Sequence, residues 1–410
     1  MTVWLTHDLD HEIDGSIQVT GSKSESNRLL ILKALYPQIK IENLSESDDT
    51  QVLQKALQKG WGEIDVHHAG TAMRFLTAYF ATRKNLDVLL TGSERMRERP
   101  IKLLVEALQD LGAKIDYVHR EGFPPLRIFG KELIKAEVKI HAGTSSQYIS
   151  ALMLIAPSLP NGLKIELEGI PTSRPYLNMT AALLRQIGVA VQFSETTIYI
   201  PSTRLVEQCK ITVESDWSSA SYFYSLIALT KSGNVVLSNY KKDSLQGDAA
   251  LATIYEEFGV RTHFSEEDHT IKLNKVGKPR FETLILDLSN TPDLAQTIAV
   301  SCLGLKRSCQ LTGLHTLKIK ETDRLQALKT ELQKLGATVE ITEDSLHMTP
   351  PEKINANVSI VTYNDHRMAM AFAPLAMKIP ICIEDYKVVT KSFPGFWQDL
   401  QYLGLDVKFE

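Results

Sequence analysis

The stretch GSKSESNR at 21–28 sets Lys23, Ser24 and Arg28 around a single turn. An alternating pattern ends at Thr20, Gly21 makes the turn, and a helical pattern follows, so all three stand at a helix start. Ser24 and Arg28 are four apart and share one helical face. The first N–H groups of a helix lack intrahelical partners and carry the positive end of its macrodipole. With a lysine, a hydroxyl and an arginine beside them, they suit a phosphate. The spacing is not that of a P-loop, G-x-x-x-x-G-K-S/T.

Other turns follow the same plan. AGTAMRFL at 69–76 places Arg74 one turn after Gly70, which gives a ligand close access to the backbone. GTSSQY at 143–148 offers the hydroxyls of Ser145 and Ser146 and the amide of Gln147, and GSERMRERP at 92–100 carries Arg95, Arg97 and Arg99 in an expected loop. KETDRL at 320–325 holds Lys320, Glu321, Asp323 and Arg324, and YNDHRMAM at 363–370 holds Asp365, His366 and Arg367. Arg367 immediately precedes an apolar helix, where burial makes an idle charge costly; Asp293 in NTPDLAQTIAV stands in the same position, and Lys391 in TKSFPGFW is a lone loop lysine. Ser, Thr and Asp also cap ordinary helices, so it is the cations gathered beside the caps that mark these turns. Many cations, a few carboxylates and no nucleophilic Ser or Cys with an obvious base fit acid–base chemistry on small, multiply charged molecules.

These turns recur because the elements that position them recur. An amphipathic helix ending in glycine, then a short alternating strand, is found at LQKALQKG, LVEALQDLGAKIDYV, LLRQIGVAVQF, IYEEFGVRTHF, ELQKLGATVEI and LQYLGLDVKF, with Gly60, Gly112, Gly188, Gly259, Gly336 and Gly404 as the stops. A second series, a polar turn opening an apolar helix, interleaves with it at Lys23, Thr71, Ser146, Ser219, Asp293 and Asp365. Both series have a first gap of roughly 50 residues and then a period of about 68–77, the mark of an internal repeat. The pattern predicts an α/β fold of six units, three per domain, each with one helix apolar all round and one amphipathic helix outside it. The domains are expected at 20–212 and at 1–19 with 213–410. The short first gap suggests that the strand EIDGSIQVT completes a unit begun at the C-terminal end.

Length and composition bound the rest. A chain of 410 residues exceeds one ordinary core. Its net charge of −4 and pI of about 6.3 give no basic bulk or tail, so a nucleic-acid partner is not expected. The four cysteines form no CxxC pair, so neither a metal site nor a disulfide framework is expected. The first residues lack the features of a signal peptide, and the longest apolar run, 368–377, is short of a span of roughly 20 residues. A cytoplasmic protein with no membrane partner follows as the expectation.

Taken in order, GSKSESNR, AGTAMR, RMRERP, SSQ, SRPY, SSASYF, PD, KETDRL, YNDHRMAM and KSFPGF resemble the 3-phosphoshikimate 1-carboxyvinyltransferase (EPSP synthase) family along nearly the whole chain. The resemblance implies two domains, each of three βαβαββ-type repeats (an inside-out α/β barrel), closing on the substrates, in a chain that is usually monomeric and needs no cofactor or metal. It implies transfer of the enolpyruvyl group of phosphoenolpyruvate to the 5-hydroxyl of shikimate 3-phosphate, with release of phosphate, in the shikimate pathway of aromatic amino-acid biosynthesis. It assigns Lys23, Ser24, Arg28, Ser145, Ser146, Ser173, Asp293 and Lys320 to shikimate 3-phosphate. Lys23, Gly70, Arg95, Gln147, Arg324, Arg367 and Lys391 go to phosphoenolpyruvate. Asp293 would be the base on the hydroxyl, with Glu321 and Lys23 moving the proton at C3. The chain departs from the family at His68, commonly Asn, at Phe75, often Pro, and at Thr316, usually an Asn that touches shikimate 3-phosphate. Gly70 keeps the small residue on which the family's glyphosate sensitivity depends. The sister enzymes that use a UDP-sugar typically carry a loop cysteine, which the Arg95–Arg99 stretch lacks.

Overall fold

The computed structural model of the chain describes residues 1–8, 12–141, 143, 145–169 and 174–410. Two compact units divide it: Gly21–Val213, and Met1–Thr20 with Glu214–Glu410. The first holds helices α1 (Lys23–Leu35), α2 (Asp48–Lys59), α3 (Gly70–Ala81), α4 (Glu94–Arg97), α5 (Lys102–Asp110), α6 (Ser146–Ile155) and α7 (Arg174–Gln186). The second holds α8 (Trp217–Leu229), α9 (Leu251–Ile254), α10 (Ala295–Gly304), α11 (Arg324–Lys334), α12 (His366–Phe372) and α13 (Phe396–Tyr402).

Two kinds of helix alternate, and their sequences say why. Every residue of α10 and α12 is buried, and of α8 all but Ser218. In α6 all but Gln147 are buried. Helices without a polar face must be covered on all sides, and α10 packs against both α8 and α12, as α6 packs against α3. The outer helices bury one stripe only; α5 buries Leu104, Val105, Ala107 and Leu108. Each outer helix is followed by a glycine in the left-handed region. Gly60, at φ 72, caps α2 with its N–H on the Ala56 carbonyl, and Gly112, Gly188, Gly259, Gly336 and Gly404 share the sign.

The sheets repeat one topology. Gly62–Asp65 runs parallel to Asp87–Thr91, and the hairpin Lys114–Tyr117/Leu126–Phe129 adds antiparallel to the latter. Glu137–His141, Leu163–Glu168, Thr197–Ile200 and Gln192–Phe193 repeat it, as do Thr283–Asp287, Ser308–Thr312, Leu346–Thr349 and Thr338–Ile341. These are βαβαββ repeats.

The N-terminal strand sits elsewhere than the spacing suggested. Ile13–Ile17, within EIDGSIQVT, runs parallel to Gly233–Ser238 and opens the repeat of α8. The C-terminal repeat is closed instead by Thr2–His7, inserted antiparallel between Ile381–Glu384 and Leu405–Phe409. Val3 and Leu5 alternate with more exposed residues, so this strand has its own buried face. The short first gap has another cause. After α2 the chain enters Gly62–Asp65 directly, the first strand of the next repeat, without the hairpin that follows α5, α7, α9 and α11. The first repeat keeps only a two-stranded sheet, Lys40–Glu42 parallel to Lys210–Thr212. No helix among the described residues is long and apolar enough to cross a membrane.

The glycine stops are not equivalent. A Cβ on Gly60 would meet nothing nearer than the Leu57 carbonyl at 3.9 Å, whereas one on Gly259 would lie 2.2 Å from the Gly277 carbonyl oxygen. Gly60→Ala is expected to cost about 1–2 kcal/mol, the left-handed penalty alone. Gly259→Ala is expected to cost on the order of 3 kcal/mol, because backbone must also move. Urea unfolding of the two variants measures the difference, and equal costs would refute it.

Candidate active site

In the unit that contains α8–α13, the charged turns converge on Arg324. Asp323 caps α11, its Oδ1 accepting from Gln326 N at 3.0 Å, and this puts Arg324 in the first helical position. The guanidinium is buried and meets three carboxylates: Nε donates to Asp365 Oδ2 at 2.6 Å, one terminal nitrogen to Asp293 Oδ1 at 2.7 Å, and the other to Glu321 Oε2 at 2.7 Å. Asp293 lies in the one-turn helix Pro292–Leu294 that leads into α10. Its other oxygen, Oδ2, accepts from Arg367 at 3.2 Å, and Lys320 Nζ stands 3.7 Å from Oδ1. Burial alone would raise the Asp293 carboxyl, but Arg367, Lys320 and Arg324 outweigh it and hold the group well below the usual carboxylate range. Asp293 is therefore an ionised acceptor within reach of three cations.

The α12 turn is held from α11 as well. Asp365 caps α12 by accepting from Arg367 N at 2.9 Å while also pairing with Arg324. Ahead of it, Tyr363 and Asn364 are both left-handed, at φ 54 and 55. The fully buried Glu331 of α11 anchors this strained loop, accepting from Tyr363 Oη at 2.7 Å and Val361 N at 3.1 Å. Lys391 donates to the Asn364 carbonyl at 2.5 Å. Arg367 also donates to Ser218 Oγ at 3.3 Å, and Ser218 donates in turn to Asp248. Burial pushes the Asp248 carboxyl up to about 7, with Asp293 adding to the rise and Arg367 and Ser218 opposing it. The structure thus brings Asp293, Lys320, Glu321, Arg324 and Arg367 together, with Lys391 beside the same loop. Thr316, in the one-turn helix His315–Ile319, has a buried hydroxyl with no hydrogen-bond partner among the described residues.

The Gly21–Val213 unit gathers the other set. Lys23 opens α1 behind the Ser22 cap and lies 3.6 Å from Asp49 Oδ2, in the first turn of α2. Ser145 caps α6, accepting from Gln147 N at 3.3 Å, and Gln147 Nε2 reaches Thr71 Oγ1 of α3 at 3.4 Å. The starts of α3 and α6 are thereby tied side by side. Ser146 is buried beside them, and Ser173 lies outside the described residues.

Two arginines behave differently from a simple reading of the motifs. Arg28 points inward: Nε donates to Thr180 Oγ1 at 2.7 Å, and its terminal nitrogens donate to the Ser24 carbonyl at 2.8 Å, Ser150 Oγ at 3.2 Å and the Tyr176 carbonyl at 3.4 Å. It sits over the Phe75 and Tyr176 rings and ties α1, α6 and α7 together. Burial brings it down to about 10, while Tyr176 and Glu25 act the other way. The stretch expected as a loop forms α4, and Arg95 there is exposed, paired with Glu98 at 3.0 Å. The guanidinium facing Gly70 belongs instead to Arg99: a Cβ on Gly70 would lie 2.5 Å from one of its terminal nitrogens. The Arg99 Nε is buried without a hydrogen-bond partner among the described residues. Motif reading did not separate Arg99 from Arg95 and Arg97, because alternate positions around one turn look alike until the turn is placed. Arg74 is committed to structure, donating to the Gly70 carbonyl at 3.2 Å and the Pro100 carbonyl at 3.0 Å.

Repeats of this topology, with cations and carboxylates at the starts of apolar helices, define an α/β enzyme acting on small polyanions. The family model for EPSP synthase (3-phosphoshikimate 1-carboxyvinyltransferase) matches residues 60–400. A 3-phosphoshikimate 1-carboxyvinyltransferase of Bacteroides fragilis strain YCH46 is 45% identical over 401 residues, covering 97% of each chain. One from Colwellia psychrerythraea strain 34H is 36% identical over 419 residues, covering 95% of this chain and 96% of its own. EPSP synthase from Acinetobacter baumannii shares the fold, with a TM-score of 0.80 over the whole of both chains at 21% identity. The chain belongs to the EPSP synthase family.

Asp248 makes stability depend on pH. The unfolded carboxyl loses its proton near 4 and the folded one near 7, so across that window the folded state holds the extra proton and stability falls as pH rises. Asp248→Asn removes this term while keeping an oxygen for Ser218. The melting temperature of the variant minus that of the unsubstituted protein is expected to climb from pH 4 to pH 8; a flat difference would contradict the assignment.

Proposed function

We propose that the chain transfers the enolpyruvyl group of phosphoenolpyruvate to the 5-hydroxyl of shikimate 3-phosphate and releases inorganic phosphate. The observation that carries the reading is the gathering of Lys320, Arg324 and Arg367 around the ionised Asp293. Phosphoenolpyruvate brings a carboxylate and a phosphate, and planar guanidinium groups suit both. Asp293, Glu321 and Asp365 already pair with Arg324, and Asp293 with Arg367, so the substrate's anionic groups compete with them for the same cations. As the substrate's own oxygens take up Arg324 and Arg367, Asp293 loses part of its cationic surroundings and becomes a stronger acceptor for the 5-hydroxyl proton.

The hydroxyl oxygen then bonds to C2 of the enol phosphate while C3 gains a proton, giving a tetrahedral intermediate. Loss of phosphate from C2 together with a proton from C3 restores the double bond. Glu321, held by Arg324, and Lys23, held by Asp49, are the groups that move the proton at C3. Cations fixed before the reaction begins stabilise the charge that develops on the departing phosphate. The remaining substrate contacts follow the residue assignments of the family resemblance, with Arg99 added opposite Gly70. In this reading the enzyme is a cytoplasmic monomer that draws its chemical driving force from the enol phosphate and needs no cofactor.

Phosphate release from phosphoenolpyruvate should require shikimate 3-phosphate; release that ignores the second substrate would overturn the proposal. Asp293→Asn should lower kcat by about 10²–10⁴-fold, the usual yield of a positioned base. Gly70→Ala should raise the KM for phosphoenolpyruvate with little change in melting temperature, because its methyl group displaces only the flexible end of Arg99. Steady-state kinetics of the two variants checks both, and an unchanged KM in the second would remove Arg99 from the site.

A further inference from the structure

A chain of four titratable side chains runs from the start of α3 to Lys23 through the Gly21–Val213 unit. Asp49 is nearly buried, and its two oxygens face different partners: Oδ2 is 3.6 Å from Lys23 Nζ, and Oδ1 is 3.5 Å from His68 Nε2. A tight charge-assisted pair closes to about 2.7–2.9 Å, so Asp49 is shared between the two and locked to neither. On its far side, His68 Nδ1 lies 2.8 Å from His67 Nδ1, the rings meeting edge to face. The His67 backbone is fixed: its N–H donates to Asp65 Oδ1 at 2.7 Å, and its carbonyl accepts from Ser93 N at 2.9 Å.

That geometry restricts the protons. One Nδ1 of the histidine pair must donate and the other accept. If His67 donates, neutral His68 carries its single proton on Nε2, facing Asp49. If His68 donates, its Nε2 must also be protonated, since a lone pair facing the carboxylate would be repelled. His68 therefore turns an Nε2–H toward Asp49 in either state, and the direction of the His67–His68 bond records whether it is neutral or cationic.

We propose that His68 is a positioning residue for Lys23, acting through Asp49. With His68 neutral, Lys23 is the full counter-charge of Asp49 and is drawn to it. With His68 protonated, Asp49 has a second cationic partner, and the Lys23 ammonium is freed toward substrate anions. The charged groups paired along this chain are Lys23 from α1, Asp49 from α2, and Asp65, His67 and His68 before α3, with Arg74, Arg97 and Arg99 carried by α3 and the α4 turn that follow. Arg74 and Arg97 are held by backbone carbonyls. The His68 imidazole is thus the group whose gain or loss of a proton changes the counter-charge available to Asp49.

The inference rests on the proposed enolpyruvyl transfer, and its test separates the two. Phosphate release is measured from pH 5.5 to 8.5 for the unsubstituted protein, His68→Asn and His68→Gln, with circular dichroism confirming that each is folded. The amides can still donate to Asp49 but cannot titrate. Ionisation of the substrates' phosphates is common to all three proteins and cancels in ratios. The KM for each substrate, divided by that of a variant, is expected to rise about three- to tenfold as pH climbs through the imidazole range, with the kcat ratio changing less. A ratio that stays flat with both variants overturns the role of His68 while leaving the activity intact. Absence of substrate-dependent release from the unsubstituted protein at every pH overturns the activity itself.

Discussion

A guanidinium buried at 2% exposure cannot be left without counter-charges, and Arg324 meets that demand with three carboxylates from three separate stretches of chain. Removing one partner from such a cluster leaves an unbalanced buried charge, typically a loss of about 3–5 kcal/mol. Asp293 before α10, Glu321 before α11 and Asp365 before α12 are therefore obliged to come together. The same helix extends the constraint, because Glu331, two turns along α11, holds the left-handed Tyr363–Asn364 pair that delivers Asp365.

That constraint explains how a chain of net charge −4 can hold a polyanion site. The cations are present at high local density but are neutralised by acids of the protein until a ligand supplies its own oxygens. Carboxylates in such a cluster keep the buried cations balanced, and in the proposed reaction they are also the groups available for proton transfer. The lowered Asp293 carboxyl and the raised Asp248 carboxyl, linked through Arg367 and Ser218, are opposite outcomes of one buried electrostatic network.

In the Gly21–Val213 unit, Arg28 plays the part that Arg324 plays in the other, with a different kind of partner. Its donors go to hydroxyls and carbonyls of α1, α6 and α7 rather than to carboxylates, so the positive charge is retained and not cancelled. It fixes the start of α1, where Lys23 and Ser24 stand. Gln147 and Thr71 join the starts of α6 and α3 in the same way. Both units thus use side chains at helix starts to align apolar helices that have no polar face of their own for alignment.

Local chemistry was legible from residue types and spacing. Helix caps at Ser22, Ser145, Asp323 and Asp365, the glycine stops, and apolar helices at a repeating interval depend on neighbours a few residues away, and the sequence displays those directly. The cations beside the caps could be read for the same reason. Three features required the folded chain. Thr2–His7, not EIDGSIQVT, closes the last repeat, because two alternating strands are indistinguishable until their partners, hundreds of residues distant, are in place. Arg28 turns inward, and Arg99 rather than Arg95 faces Gly70, because the direction of a long side chain is set by the packing around it. The sharing of Asp49 between Lys23 and His68 depends on three turns meeting in space. Sequence alone determined which helix starts carry charge; only tertiary structure decided which charges face one another, since Coulomb and hydrogen-bond energies act over distances in space that spacing along the chain does not encode.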